Sequence, residues 1–234
     1  MLAGQLSPRR VVDARSLMRS VVTLLRSRGF QLLLIAAPIF PVNLALVLWG
    51  SSYTSLALAA YFVFPEIVGA ALVLGWFTAS TGAQPGILAS YQAVLLNLHR
   101  LLLASVFHVL VPSVLILTLV GIPWGISLFV RWSFYPQFIM IHGLGSTEAL
   151  AASANLVQGI WWRVFALAGC IAAMATVVAL PTLVFGWANL SAALIFAGSS
   201  LVTMALATGT WTTLFLKLAK GSSEFGCAPE RTSA

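Results

Sequence analysis

Charge is what this sequence has least of. Only 7% of its 234 residues are Asp, Glu, Lys or Arg, against about 25% in a typical soluble domain. An ordinary water-solvated surface is excluded. Acid is scarcer than base, with five Asp and Glu against twelve Lys and Arg. No paired carboxylates, His-Glu-x-x-His, P-loop or Gly-x-Ser-x-Gly run occurs. The one candidate catalytic aspartate, Asp13, falls in the N-terminal arm, so no Ser/His/Asp set assembles. The two cysteines, Cys170 in an apolar run and Cys227 near the C-terminal end, indicate neither a disulfide framework nor a zinc site.

Apolar residues fill the space that charge leaves. They make up 60% of the chain, and the mean hydropathy is +1.01. A helix crossing a ~30 Å hydrocarbon core needs about 20 such residues, and six stretches qualify: 30–49, 55–77, 101–120, 122–141, 164–185 and 190–216. Gly121, Pro123 and Gly125 predict a sharp corner between the third and fourth. Residues 1–29 carry six arginines and no separate apolar segment, which argues against a cleavable signal peptide.

The basic residues orient these spans. Arg9, Arg10, Arg15, Arg19, Arg26, Arg28, Arg100, Arg163, Lys217, Lys220 and Arg231 all fall on the side of the two termini, while the opposite connections carry no charge. The positive-inside rule then predicts an inner (cytoplasmic) membrane protein with both termini cytoplasmic. Arg15, Arg19, Arg26, Arg28, Arg100 and Arg163 are the expected contacts for anionic lipid head groups. No extramembrane segment is long enough for a nucleic-acid-binding module.

The cytoplasmic segments have helical periodicity of their own. Val11, Met18, Val21, Val22 and Leu25 predict an amphipathic arm, as do Ile87, Tyr91, Val94, Leu95 and Leu98 in the second connection. A third such helix is expected near 147–158, with Ser146 as its cap and Glu148 in its first turn. Each is followed by an arginine (Arg28, Arg100, Arg163) and an apolar hairpin that turns at a Trp–Gly pair. The Arg spacings are 72 and 63 residues and the Trp spacings 75 and 63, which suggests three repeats of surface helix plus hairpin.

Two charges lie inside the spans. Glu66 and Arg131 sit roughly 18 and 12 Å from the outer ends at 1.5 Å per residue. An isolated charge at such depth is costly, so the expectation is an intramembrane ion pair between them. That pair serves packing or, on the alternative reading, a proton relay or substrate site. His108 is a further candidate, as a haem or pigment ligand. Prolines 38, 41, 65, 112, 136 and 181 interrupt the spans, as they do around many transporter sites. Small residues crowd the fifth span (Ala166, Ala168, Gly169, Ala172, Ala173) and the sixth (Ala197, Gly198, Ser199, Ser200, Ala205, Ala207, Gly209), marking close helix contacts.

Three runs carry a resemblance: Gly-Ile-Pro-Trp-Gly-Ile-Ser-Leu-Phe-Val-Arg-Trp-Ser-Phe-Tyr-Pro-Gln at 121–137, Ser-Thr-Glu-Ala-Leu-Ala-Ala-Ser at 146–153 and Gly-Ile-Trp-Trp-Arg-Val at 159–164. The chain resembles the membrane domain found with bacterial glycerophosphodiester phosphodiesterases, and related six-helix proteins. Arg131, Glu148, Trp162 and Arg163 match that domain's recurrent positions. His142 stands where an acidic residue is usual, and the catalytic barrel does not follow Lys220. The resemblance implies the fold and no enzymatic activity.

The sequence therefore predicts an all-α polytopic protein: a cytoplasmic arm at 1–29, six transmembrane helices over 30–220 and a flexible cytoplasmic tail at 221–234. The expected role is non-enzymatic, with no metal or cofactor: a scaffold or accessory subunit in contact with lipids and other membrane subunits. The alternatives are a small transporter or lipid-handling protein using Glu66 and Arg131, and, more weakly, a pigment- or haem-binding subunit using His108.

Overall fold

A computed structural model describes residues 14–49, 54–185 and 190–223. Among the described residues the chain forms ten α-helices and no strand: α1 (Ala14–Ala36), α2 (Ile39–Trp49), α3 (Thr54–Ser80), α4 (Ile87–Leu96), α5 (Leu98–Leu117), α6 (Ile122–Arg131), α7 (Tyr135–His142), α8 (Ser146–Val157), α9 (Trp161–Phe185) and α10 (Leu190–Ser223). Four helices are long and apolar enough to cross a membrane, in α3, α5, α9 and α10. A fifth crossing arises if α1 and α2, bent by 45° at their junction, count as one broken span. The chain is a multi-pass membrane protein.

The bend has a sequence cause. Pro38 follows the last residue of α1 by two, lacks an amide proton and clashes with the preceding turn. Residues 14–29 of the expected arm and the first part of the expected first span form one continuous helix, and the boundary expected at residue 29 is not a break. Its buried stripe is Leu17, Val21, Leu32 and Ile35, whereas Met18 and Val22 of the expected stripe are exposed. The carbonyl of Ile35 belongs to the last turn of α1 and has no helical donor of the usual kind there. Tyr91 of α4 supplies one, its hydroxyl donating to Ile35 O at 2.6 Å. Burial pushes the Tyr91 hydroxyl up to about 12, so it stays a donor across the working pH range. Tyr91→Phe is expected to cost about 1 kcal/mol, read as a lower melting temperature in detergent with unchanged helical circular dichroism.

The third and fourth apolar stretches turn back on each other as expected, with α5 packed along α6. A 3₁₀ turn over Leu119–Gly121 makes the corner. A Cβ at Gly121 would collide with the Leu115 carbonyl oxygen, and one at Gly125 would lie 2.7 Å from Pro112 O, so both positions require glycine for the hairpin to close.

The fourth stretch is not one helix. It breaks at residues 132–134 between α6 and α7, where Pro136 in the first turn of α7 has no amide to donate to the Trp132 carbonyl. Pro65 and Pro112, expected to interrupt their spans, lie inside continuous helices. The break leaves backbone groups to be satisfied. Ser133 Oγ donates to Val130 O at 2.8 Å. Ser153 of α8 donates to Arg131 O at 2.7 Å and accepts the Phe134 N–H at 3.0 Å. Ser153 is fully buried, with Ala149 and Val157 on the same face. Helix α8 therefore packs on α5, α6 and α7 and is more than a surface appendage. Ser146 is its first residue rather than its cap and donates to Arg100 O at 2.8 Å. Glu148 takes the Gly145 N–H at 3.1 Å, as the acidic half of a capping box does.

The centre of the molecule is the packing of α10 on α1, α2 and α3. Trp76 of α3 is buried against Gly209, where an added Cβ would strike the indole, and its Nε1 donates to Ala205 O at 3.2 Å. Ala70, Ala71 and Ala205 complete this close approach. Between lipid-embedded helices such fit replaces the hydrophobic effect as the source of association. The small residues of α9 do something else: Gly169 meets nothing within 4 Å, and Ala166, Ala172 and Ala173 are exposed. Helix α10 continues to Ser223, so residues 221–223 of the expected tail are helical. Val11, Asp13, Trp187, Cys227 and the rest of the tail lie outside the described residues.

Candidate functional site

Glu66 lies on α3 one residue after Pro65. Its carboxyl does not pair with Arg131. The hydroxyl of Tyr135, the first residue of α7, donates to Glu66 Oε2 at 2.6 Å, and Ser105 of α5 lies close to both. No basic side chain reaches Glu66 among the described residues. Arg131 ends α6 and is exposed. The break at 132–134 explains this difference from the expected ion pair: it lets the chain turn after Arg131, and the residue it delivers to Glu66 is the tyrosine four positions on.

A half-open cavity of about 120 Å³ adjoins this carboxyl. Glu66, Gly69, Ala70 and Val73 of α3 form one wall, Ser133, Pro136 and Gln137 a second, and Thr208 and Trp211 of α10 a third. Gln137 is 3% exposed, and its Oε1 has no hydrogen-bond partner among the described residues. The proton of Ser133 is committed to Val130 O, which leaves its oxygen as an acceptor. Trp211 is held in place by an edge contact with Phe134, ring centroids 5.0 Å apart. Polar groups from three helices thus converge at one place in a bundle whose other interior contacts are mostly apolar.

His108 borders the cluster. It is buried, its ring centroid 4.4 Å from Phe129 and 5.2 Å from Tyr135, and Nδ1 is without a partner among the described residues. Its ring is packed by aromatic neighbours rather than presented to an open slot. Among the described residues no group of three His, Cys, Asp or Glu assembles as a metal site.

The arginines expected at head groups divide into two sets. Arg28 donates to Gly82 O at 3.4 Å and Arg100 to Gly143 O at 3.0 Å. Both glycines have positive φ, +85° and +69°, and both end a helix in a Schellman-type turn, with Ala83 N–H on Thr78 O and Leu144 N–H on Phe138 O. A guanidinium there also complements the negative end of the helix dipole. Arg19, Arg26 and Arg163 are exposed, while Arg15 is exposed and has a partner. A groove of about 270 Å³ beside Arg163 is lined by Gly159, Ile160, Trp161 and Trp162, with no buried polar side chain in its wall.

Sequence reasoning found Glu66 and missed Tyr135, Gln137 and Trp211. Tyr135 and Trp211 look like any membrane aromatics, and only the proline next to Tyr135 hinted that its backbone is interrupted. Searches against protein-family models, curated proteins and solved structures find no match to the chain.

Proposed function

We propose that this is a non-enzymatic six-span membrane protein that handles a small polar or lipid-borne group at the Glu66 cavity. The observation that carries the reading is the convergence of Glu66, Gln137, Ser133, Thr208 and Trp211 around one half-open cavity. An intramembrane carboxyl without a basic partner is a functional feature by default, and interrupted helices line such sites in transporters. Taking α6 and α7 together as one broken span gives the sixth crossing. The one-sided distribution of arginine and lysine supports cytoplasmic termini in an inner (cytoplasmic) membrane. The Arg28–Gly82 and Arg100–Gly143 pairs, each joining the start of one hairpin arm to the glycine that ends the other, support a repeated plan of surface helix and hairpin. The resemblance to the phosphodiesterase-associated membrane domain rests on the three sequence runs quoted for it.

The test is purification in mild detergent, with mass spectrometry of everything that co-migrates. A lipid or solute retained by the wild type is expected to be lost from Glu66→Leu while the protein still elutes as a single folded species. Equal retention by the two proteins would sink the reading.

A second reading, as an accessory subunit of a larger membrane complex, is supported by α9. Only Val164 of its described side chains is buried, and its Ala and Gly positions leave a smooth face suited to another helix. On that reading the same purification yields a stoichiometric protein partner, displaced when Gly169 and Ala173 are both replaced by Leu.

A further inference from the structure

The lining of the Glu66 cavity narrows the chemistry of what it takes. Among the described residues the only charged group in the wall is the carboxyl of Glu66, and the oxygen of Ser133, whose proton already serves Val130, is a second acceptor. Gln137 brings a buried amide with an unpartnered Oε1, and Thr208 and Trp211 bring a hydroxyl and an indole N–H. No basic side chain reaches Glu66 among the described residues. An anionic ligand would therefore face the Glu66 carboxyl with no cation to offset it, and a neutral apolar one would leave that carboxyl without a counter-charge. Trp211 adds an indole, the aromatic side chain best suited to a cation. The half-open volume of about 120 Å³ has room for a group of a few heavy atoms beside the carboxyl.

We infer that the cavity binds a primary ammonium group, through its three N–H donors and its charge. The inference rests on the proposal that the Glu66 cavity is a binding site. Glu66 supplies the counter-charge, held in place by the Tyr135 hydroxyl on Oε2, and the Ser133 and Thr208 oxygens, with the Gln137 amide beside them, accept the remaining donors. The same ammonium chemistry is offered by a phosphatidylethanolamine head group and by a free small amine.

The experiment uses the full chain in phosphatidylcholine nanodiscs, with thermal unfolding as the readout. Methylammonium or ethanolamine is expected to raise the melting temperature by several degrees, growing with the logarithm of concentration as for any ligand of the native state. Tetramethylammonium carries the same charge without N–H donors and is expected to have little effect, as is potassium. Glu66→Gln is expected to weaken the response at least about thirtyfold, the low end for truncating one partner of a buried charge pair. Gln137→Leu, which leaves the carboxyl intact, is expected to weaken it less and guards against a folding failure of the first variant. Stabilisation by soluble amines assigns the free amine as the source. Stabilisation only when phosphatidylethanolamine replaces part of the phosphatidylcholine assigns the lipid. Equal response to tetramethylammonium, or no response to any amine or to the lipid, overturns the inference. If purified wild type nevertheless retains a Glu66-dependent molecule without an amine, only the ligand class fails and the site stands. If it retains nothing, both fail.

Discussion

Gly209→Ala is expected to lower the melting temperature of the detergent-solubilised protein by about 5–10 °C. The added Cβ would enter the volume of the Trp76 indole, meeting three of its ring carbons. Neither side yields easily: Trp76 is 1% exposed and pinned by its bond to Ala205 O, and Gly209 lies within the long α10. Overpacking of a tight core costs about 1–3 kcal/mol, and for a chain of this size each kcal/mol moves the midpoint by about 2–4 °C. Gly209→Leu is expected to prevent accumulation of folded protein. The cause can be separated from a helix-propensity effect, which alone favours Ala over Gly. Combining Gly209→Ala with Trp76→Phe removes the part of the indole that the methyl strikes, so the double variant should be less destabilised than the sum of the single ones. Additive losses would show that α3 and α10 do not meet at this pair.

That contact was half visible in the sequence. The stripe of small residues on the sixth span marks α10 as a packing helix, and Ala197, Ala205 and Gly209 are indeed buried. The similar stripe on the fifth span carries the same signal, yet α9 leaves its glycine against open space. Small side chains permit close approach without naming a partner, and nothing in local sequence tells a helix which neighbour fills the gap.

The polar site was legible to the same limited degree. A glutamate in an apolar run must find company, and the only other charge at depth was Arg131. Pairing the two was the economical inference for straight helices. It failed because Pro136 breaks the fourth segment: α6 ends on Arg131 and α7 begins on Tyr135, so the residue presented to Glu66 depends on a turn to which Ser153 of α8 is hydrogen-bonded. The corner at Gly121, by contrast, is built from consecutive residues and could be read directly. Features encoded by neighbours in sequence were accessible, and those that rest on contact between distant segments were not. The Arg28–Gly82 and Arg100–Gly143 bonds, spanning 54 and 43 residues, are of the second kind. Of the six arginines expected at lipid head groups, Arg28 and Arg100 instead reach backbone carbonyls at helix ends.

Ser153 gives the sharpest test of how the broken segment is held. It lies fully buried on α8 and serves two groups at once, accepting from Phe134 N–H and donating to Arg131 O. Ser153→Ala removes one oxygen and strands both. A buried polar group left unpaired costs about 1–3 kcal/mol, so the expected loss is about 2–4 kcal/mol, large for a change of one atom that leaves helix propensity improved. The effect should be local before it is global. Hydrogen exchange at the amides of residues 132–135 is expected to accelerate, and the Tyr135–Glu66 contact that depends on the turn should loosen with it. Any ligand response that depends on Glu66 would then weaken in Ser153→Ala, although Ser153 does not line the cavity. Replacing Asn155, two residues on and exposed, with Ala should do none of this. Unchanged exchange and stability in Ser153→Ala would mean that the break supports itself, and that α8 docks on this region without determining its shape.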